Sequence, residues 1–260
     1  MFLDKVLKGI GETGSHLCVG LDPDMHRLPE RYERTAGGVG EFLEWVIDET
    51  RSNACVYKPN SAFFEALGAA GVELLGRTIG CIRDMGRPVI LDAKRGDIAN
   101  TARAYASAAF DILKADAITL VPYMGVDTVK PFLERGGFAF ILTLPTNPSA
   151  QAIVDHGDPP LYLQVAAMAN GLAAECPDQI GLVVGATRPA MAARLHEVSP
   201  GLPWLVPGVG AQGGSLSGFF SELQSEHLMV VNASRSIIFA DRPAVAAWEM
   251  KERIGGYLDG

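Results

Sequence analysis

Short apolar runs alternate with amphipathic segments along the whole chain. The runs are rich in Val, Ile and Leu and end at Gly, Pro or charged residues, so they predict buried strands. They cover His16–Asp22, Ala54–Pro59, Pro88–Lys94, Ala117–Pro122, Phe138–Leu144, Ile180–Ala186, Trp204–Val209 and Leu228–Ser234. Segments with helical periodicity lie between them, at Val39–Ser52, Val72–Met85, Ile98–Leu113, Leu161–Glu175 and Arg188–Val198. This alternation favours parallel β/α units.

The number of these units favours one fold class. About eight strand–helix units fit an α/β chain folded as a (β/α)8 TIM barrel better than an open doubly wound sheet. The first residues add an N-terminal helix, because apolar side chains recur at helical spacing among charges, at Phe2, Leu3, Val6, Leu7 and Ile10. No linker or change of composition divides the 260 residues, so we expect residues 1–260 to form a single domain.

Composition limits which cellular compartment and which classes of binding partner are expected. The net charge of −8 disfavours binding to nucleic acid or to an anionic membrane, since both need a basic surface. We find neither a signal sequence nor an uncharged apolar stretch of about 18 residues, so a soluble, cytoplasmic protein is expected. The cysteines are Cys18, Cys55, Cys81 and Cys176. They form no Cys-x-x-Cys pair, which indicates reduced core residues rather than a zinc site or disulfides.

Polar residues collect at the predicted strand ends. In a barrel of this class the functional groups lie at the C-terminal ends of the strands, whereas the interior is packing. Candidates at these ends are Asp22, Lys58, Asp92, Lys94, the loop that begins at Thr146, Gln212 and Arg235. We therefore expect them to surround one mouth of the barrel.

Three charged residues in the segment 91–101 are the strongest candidates for chemistry. Asp92 and Lys94 share one face of the third strand, and Lys58 should lie beside Asp92 on the neighbouring strand. With Asp97 they would form an array of alternating charges that can hold a lysine rigid and protonated. Two simpler interpretations remain: Asp97 could be the N-cap of the next helix, and Asp92 with Lys94 could form an ordinary salt bridge.

A phosphate site and a lid are also indicated. The turn at residues 206–214, Val-Pro-Gly-Val-Gly-Ala-Gln-Gly-Gly, could bring backbone N–H groups close to a phosphate, and Arg235 could grip the same group. Alternatively, residues 206–214 could be a simple turn, and Arg235 could be a surface arginine that only aids solubility. The connection Thr146–Pro160 is long for a βα loop, so it could be a mobile lid or a plain surface loop.

These motifs resemble the orotidine 5′-phosphate decarboxylase family. Asp92-x-Lys94-x-x-Asp97-Ile98-x-x-Thr101 matches the signature of that family at each key position. The resemblance extends along most of the chain, through Val-Gly-Leu-Asp (19–22), Tyr-Lys-Pro-Asn (57–60), Thr-Asn-Pro (146–148), Gly-Val-Gly-Ala-Gln-Gly-Gly (208–214) and Ser-Arg-Ser (234–236). The second and third of these motifs look like the longer bacterial subgroup.

The resemblance implies a reaction and an assembly. The family converts orotidine 5′-monophosphate (OMP) to UMP and CO₂, the last step of de novo UMP synthesis, without a cofactor or a metal. Members are homodimers in which the residues that correspond to Asp97, Ile98 and Thr101 reach into the site of the partner subunit.

The resemblance also implies a role for each candidate residue. Lys94 would stabilise and protonate the C6 carbanion, Asp92 would favour loss of CO₂, and Asp97 and Lys58 would hold Lys94 and contact the ribose. Substrate binding would fall to Asp22 and Thr101 at the ribose, Ile98, Thr146 at the pyrimidine, Gln212 between base and phosphate, and Gly214 and Arg235 at the phosphate. The family commonly has serine where Thr146 stands, which leaves the hydroxyl in place but adds a methyl group.

Two alternatives stay open at the sequence level. Metal-dependent sugar-phosphate decarboxylases and synthases of the same superfamily share an Asp-x-Lys-x-x-Asp string, and chelators would abolish their activity. A catalytically silent barrel that only binds nucleotide is the other. The charged array speaks against it, because unused buried charges cost desolvation energy.

Overall fold

The computed structural model describes residues 1–209, 216–221 and 227–258. Within them, eight parallel strands form one sheet in the order β2-β1-β8-β7-β6-β5-β4-β3. The strands are β1 Leu17–Leu21, β2 Val56–Pro59, β3 Ile90–Arg95, β4 Ala117–Leu120, β5 Phe138–Leu144, β6 Ile180–Val184, β7 Trp204–Val206 and β8 Met229–Ala233. Single bridges from Tyr57 to Val89 and from Asn60 to Asp92 join the two edge strands. The predicted (β/α)8 barrel is confirmed as a nearly closed barrel with helices between its strands.

The helices lie between the strands and at both ends of the described chain. They are α1 Phe2–Thr13, α2 Ala36–Thr50, α3 Ser61–Glu65, α4 Ala69–Asp84, α5 Ala99–Ala106, α6 Lys130–Leu133, α7 Gln151–Val154, α8 Leu161–Glu175, α9 Pro189–Val198, α10 Leu216–Phe220, α11 Arg235–Ile238 and α12 Pro243–Leu258. The predicted helix over 98–113 is divided, because α5 passes into a π-helical turn at Ser107–Ile112.

Two apolar layers hold the barrel together. The larger one lies between the strands and the surrounding helices, where side chains such as Tyr57, Trp204 and Phe42 are fully buried. The smaller one fills the barrel interior with residues such as Val56, Phe138 and Phe140. Burial of strands on both faces explains why they read as nearly continuous apolar runs.

Helix α1 contributes to the interior layer. Its Phe2 ring lies 4.7 Å from the ring of Phe138 and 5.8 Å from that of Phe140, measured between centroids. The helix approaches the barrel wall so closely that a Cβ atom on Gly9 would lie 2.6 Å from the carbonyl oxygen of Cys55. The predicted N-terminal helix therefore packs against the barrel, and its Phe2 side chain joins the interior apolar layer.

The cysteines follow the sequence prediction closely. All of them are free thiols, with Cys18 and Cys55 buried and Cys81 and Cys176 half-buried. Burial raises the pKa of the Cys18 thiol to about 12 and also raises that of Cys55, so both remain protonated at neutral pH. None of the helices in the described part of the chain is long and apolar enough to cross a membrane.

Candidate active site

A cavity of about 380 Å³ opens at the C-terminal ends of the strands. The predicted residues that line it are Asp22, Lys58, Asp92, Lys94, Thr146 and Arg235. They come from the ends of β1, β2, β3, β5 and β8, as the strand-end argument predicts. The structure thus brings most of the predicted site residues to one mouth.

Asp92 is the centre of the charged group. Its Oδ2 accepts a hydrogen bond from Lys58 Nζ at 2.8 Å, and its Oδ1 accepts one from Lys94 Nζ at 2.6 Å. The hydroxyl of Thr119 donates to the same Oδ1 at 2.9 Å. The carboxylate therefore joins two ammonium groups in one fixed arrangement.

The three charges differ in their exposure to solvent. The side chains of Lys58 and Asp92 are only 4% and 9% exposed, whereas that of Lys94 is 47% exposed and faces the cavity. Burial alone would raise the pKa of Asp92, but the charges of Lys58 and Lys94 outweigh it and hold that pKa far below its usual range. Burial likewise lowers the pKa of Lys58, yet Asp92 and Asp22 raise it more, so the net shift is upward. Asp92 and Lys58 are therefore both ionised at neutral pH.

The backbone at Lys94 is unusual and helps to aim its side chain. Lys94 has φ of +46°, a left-handed conformation that costs energy for a residue with a Cβ atom. The pairing of β3 with β4 shifts register between Leu91 and Arg95, and the Lys94 N–H donates to Thr119 Oγ1 at 3.0 Å. Thr119 therefore supports both the backbone of Lys94 and the carboxylate of Asp92.

The strand-end argument missed several polar residues of the cavity. They are Asn60, Thr119, Asn232, Ser234 and Ser236. Thr119 is hidden in the apolar run of β4, where a neutral hydroxyl gives no charge signal. Asn232 and Ser234 lie beside Gly20, where a Cβ atom would fall 1.8 Å from Ser234 Oγ and 2.9 Å from Asn232 Oδ1. Glycine at this position is what allows strand β1 to approach those side chains.

Asp22 and Arg235 flank the charged group. Among the described residues, the buried Oδ1 atom of Asp22 has no hydrogen-bond partner, so it is available to a ligand hydroxyl in the cavity. Arg235 is exposed at the start of α11, and no carboxylate in the described part of the chain pairs with it. Gln212 and Gly214, the other predicted phosphate-loop residues, lie outside the described residues.

Within one chain the structure does not bring Asp97 into the predicted array, and its place in the site of a partner subunit stays a prediction. In the described part of one chain the carboxylate of Asp97 makes no ion pair with Lys94 or Lys58; its Oδ1 accepts the N–H of Ile98 at 2.8 Å. Asp97 is not the helix N-cap either, because Ile98 holds that position. Asp97, Ile98 and Thr101 lie outside the cavity lining, so within one chain the array ends at Lys94.

The segment after β5 contains more structure than the sequence indicates. A 3₁₀ turn at Pro148–Ala150 is followed by α7, and Val154 of α7 is buried against the apolar layer between strands and helices. Of the predicted lid, Thr146 and Asn147 line the cavity. The mobility of the predicted lid, Thr146–Pro160, stays a prediction.

Comparison with known proteins places the chain in a family. The family model described as "Orotidine 5′-phosphate decarboxylase / HUMPS family" matches residues 15–250. Orotidine 5′-phosphate decarboxylase from Herpetosiphon aurantiacus is 46% identical over 245 residues, which cover 92% of this chain and 90% of that protein. The enzyme of the same name from a Roseiflexus species is 45% identical over 249 residues, covering 93% and 90%. The solved structure of Leishmania donovani OMP decarboxylase is similar with a TM-score of 0.88, at 38% identity and with 100% and 99% of the two chains covered. The chain therefore belongs to the orotidine 5′-phosphate decarboxylase / HUMPS family.

Proposed function

We propose that this protein decarboxylates OMP to UMP and CO₂, the last step of UMP synthesis, and thus acts as a carboxy-lyase. The observation that carries the proposal is the Asp92 carboxylate held between Lys58 and Lys94 at the cavity mouth. Relatives at 41% to 46% identity that bear the name of this enzyme support the choice of substrate.

The charged group suits this chemistry. When the bond between C6 and the carboxylate breaks, CO₂ leaves and the electron pair stays on C6, where no conventional electron sink exists. A preorganised cation can stabilise such a charge without reorganisation. Lys94 Nζ then donates a proton to C6 and regains one from solvent. The ionised Asp92 beside the substrate carboxylate favours its loss, and Lys58 keeps Asp92 in position.

The remaining cavity residues would bind the nucleotide. Asp22 accepts a hydrogen bond from a ribose hydroxyl, Thr146 recognises the pyrimidine, and Arg235 binds the phosphate with two hydrogen bonds. Gln212 and Gly214 complete the phosphate side, with Gln212 also reaching the base. Binding energy from the remote phosphate can then be used to exclude water from the reacting group.

A homodimer would complete each site. We assign Asp97, Ile98 and Thr101 to the site of the partner subunit, where Thr101 contacts the ribose and Asp97 approaches Lys94. Exposed apolar side chains at the N-cap of α5 and in the turn after β4 support an interface here: Ile98 is 52% exposed, Tyr123 84% and Met124 47%. Such a patch is typical of a protein contact.

The donor set argues for chemistry without a metal or a cofactor. Both oxygens of Asp92 already accept hydrogen bonds from lysine or threonine, and two ammonium groups repel a cation. Lysine instead supplies the positive charge that a metal ion would otherwise bring to the carbanion. The substrate partner is a small nucleotide rather than nucleic acid or membrane, and we assign the protein to the cytoplasm.

The test is the loss of ultraviolet absorbance when the purified protein meets OMP in the presence of EDTA. Rapid loss by the wild type and none by a folded Lys94→Ala variant would support the proposal. Activity that EDTA abolishes would move the protein to the metal-dependent sugar-phosphate enzymes. Tight UMP binding without turnover would indicate a silent nucleotide-binding barrel.

A further inference from the structure

The segment formed by residues 145–148, here the Thr146 segment, borders two cavities. Thr146 lines the active-site cavity and also a second cavity of about 400 Å³, whose lining includes Pro148, Gln151 and Met191. Space on two sides reduces the packing that can hold a segment in place, so hydrogen bonds contribute more to its position.

Three hydrogen bonds to this segment come from the loop after β6, and the carbonyl oxygen of Asn147 also accepts the N–H of Ala150 at 3.2 Å. Thr187 Oγ1 donates to the carbonyl oxygen of Thr146 at 3.2 Å. The Arg188 guanidinium donates through Nη2 to the carbonyl oxygens of Asn147 at 3.2 Å and Pro148 at 3.3 Å. Two adjacent side chains therefore hold three consecutive carbonyl groups of the Thr146 segment.

An arginine at position 188 would be unfavourable for the start of helix α9 without these hydrogen bonds. Arg188 occupies the N-cap of α9 and makes no capping hydrogen bond, although a small polar residue is preferred there. The helix dipole also disfavours a cation at this end. Among the described residues no carboxylate pairs with Arg188, and its guanidinium donates to the two carbonyl oxygens and to the sulfur of Met191.

The loop after β6 also leaves space for the side chain of Thr146. A Cβ atom on Gly185 would lie 2.9 Å from Thr146 Cγ2 and 3.0 Å from the carbonyl oxygen of Leu144. Glycine therefore leaves room for the methyl group that distinguishes threonine from serine at position 146. The loop after β6 contacts this residue at its methyl group and at its carbonyl group.

We propose that Thr187 and Arg188 are positioning residues that fix the Thr146 hydroxyl and thereby set recognition of the substrate's base. The proposal rests on the proposed function, in which Thr146 contacts the pyrimidine. Neither residue touches the substrate. Their removal should weaken binding of ligands that carry the base and spare ligands that lack it.

The experiment compares two competitive ligands, UMP and ribose 5-phosphate, in wild type, Thr187→Val and Arg188→Ala. We expect the inhibition constant of UMP to rise about tenfold in each variant and that of ribose 5-phosphate to change less than twofold. Thr187→Ser, which keeps the hydroxyl, should restore wild-type UMP binding. Arg194→Ala, an exposed arginine of the same helix, is the matched control and should change neither constant.

A double-mutant cycle then tests whether the effect passes through Thr146. In a Thr146→Ala background, adding Arg188→Ala should raise the UMP constant less than twofold further, because coupled residues are not additive. Equal weakening of both ligands, unchanged UMP binding, or full additivity with Thr146→Ala would each overturn the proposal. If Arg188→Ala does not fold, Thr187→Val and Arg188→Lys carry the same comparison. A wild type that neither converts OMP nor binds UMP would instead reject the proposed function.

Discussion

At the scale of single residues, Asp92 determines the electrostatics of the cavity. Its carboxylate is the anion that offsets Lys58, whose side chain is 4% exposed. A buried charge that loses its partner keeps the desolvation cost without the compensating attraction. Asp92 therefore stabilises the fold as well as the proposed chemistry, whereas the half-exposed Lys94 contributes to chemistry alone.

Asp92→Asn should lower the free energy of unfolding by about 3 kcal/mol, the usual cost of breaking a buried ion pair. Lys94→Ala should lower it by less than about 1 kcal/mol, since solvent already screens that lysine. Urea unfolding followed by circular dichroism measures both. Equal losses in the two variants would contradict the distinction between them.

Arg235→Ala should raise KM for OMP at least about tenfold, because a bidentate arginine–phosphate contact is a charge-assisted pair of hydrogen bonds. The initial rate of absorbance loss over a range of OMP concentrations gives KM and kcat separately. Arg253→Ala, an exposed arginine on α12, serves as the control. An unchanged KM would remove Arg235 from the phosphate site.

His227 should make stability depend on pH. It is buried beside Trp204 and His196, and burial together with the charge of His196 lowers its pKa from 6.5 to about 4. Above pH 6.5 the ring is neutral in both states; between 6.5 and 4 the unfolded chain takes up a proton that the folded state does not. The free energy of unfolding should therefore fall as pH falls through this window.

The control for His227 is His227→Asn, whose amide can still donate to the carbonyl oxygen of Pro200, as Nδ1 of the wild-type ring does at 3.1 Å. Unfolding by urea at several pH values between 7 and 4 gives both curves. We expect the variant to lose less stability on acidification than the wild type, and parallel curves would show that His227 does not contribute.

At the scale of elements, two glycines of helix α1 are predicted to respond in opposite ways to replacement by alanine. A Cβ atom on Gly9 would meet the backbone of Cys55, while one on Gly11 meets nothing within 4 Å. Gly11→Ala should stabilise the protein by about 0.5–1 kcal/mol through helix propensity. Gly9→Ala should destabilise it, since the helix must move away from the barrel. Thermal unfolding measures the two shifts, and a stabilised Gly9→Ala would show that the contact is easily relieved.

The strands could be predicted from sequence because each is buried on both faces and reads as one apolar run. The errors lie at their ends: Ala54 and Cys55 precede β2 and residues 207–209 follow β7, although they are as apolar as the strands. Apolar character reports burial, which continues beyond the end of a regular strand: Cys55 is buried and still donates its N–H to the carbonyl oxygen of Leu17 at 3.0 Å, yet it lies before β2.

Charged site residues could be predicted in the same way, since Lys58 and Asp92 are conspicuous at strand ends. Thr119 could not, because a hydroxyl in an apolar run carries no such signal. Thr187 and Arg188 could not either, because their partners are main-chain carbonyls, whose positions depend on the path of the chain. Asp97 makes no ion pair with Lys94 within one chain for a related reason: closeness in sequence does not fix the direction of a side chain.

At the scale of the whole molecule, the two ends of the described chain join the same barrel. β1 pairs with β8, and α12 packs against α2 and β1. We therefore propose that residues 1–260 form a single domain, and that activity belongs to a pair of such domains. Each member of the pair would supply Asp97 to the other.

Mixing the inactive variants Lys94→Ala and Asp97→Ala tests this sharing. A heterodimer has one site with both residues intact if Asp97 acts across the interface, and none if it acts within its own chain. After free exchange of subunits, absorbance assays should recover about a quarter of wild-type activity, given a symmetric dimer. No recovery despite exchange, shown by a size-tagged subunit, would contradict shared sites.

The two lysines that share Asp92 also have a consequence for how this sequence can change over evolutionary time. Replacing Asp92 first leaves two cations facing each other, and replacing Lys58 first leaves a buried carboxylate with only the half-exposed Lys94. Either of these first steps lowers stability before any second change can compensate. Descendants that lose the proposed activity should therefore keep Asp92 and Lys58 longer than the exposed Arg235, whose loss leaves no buried charge without a partner.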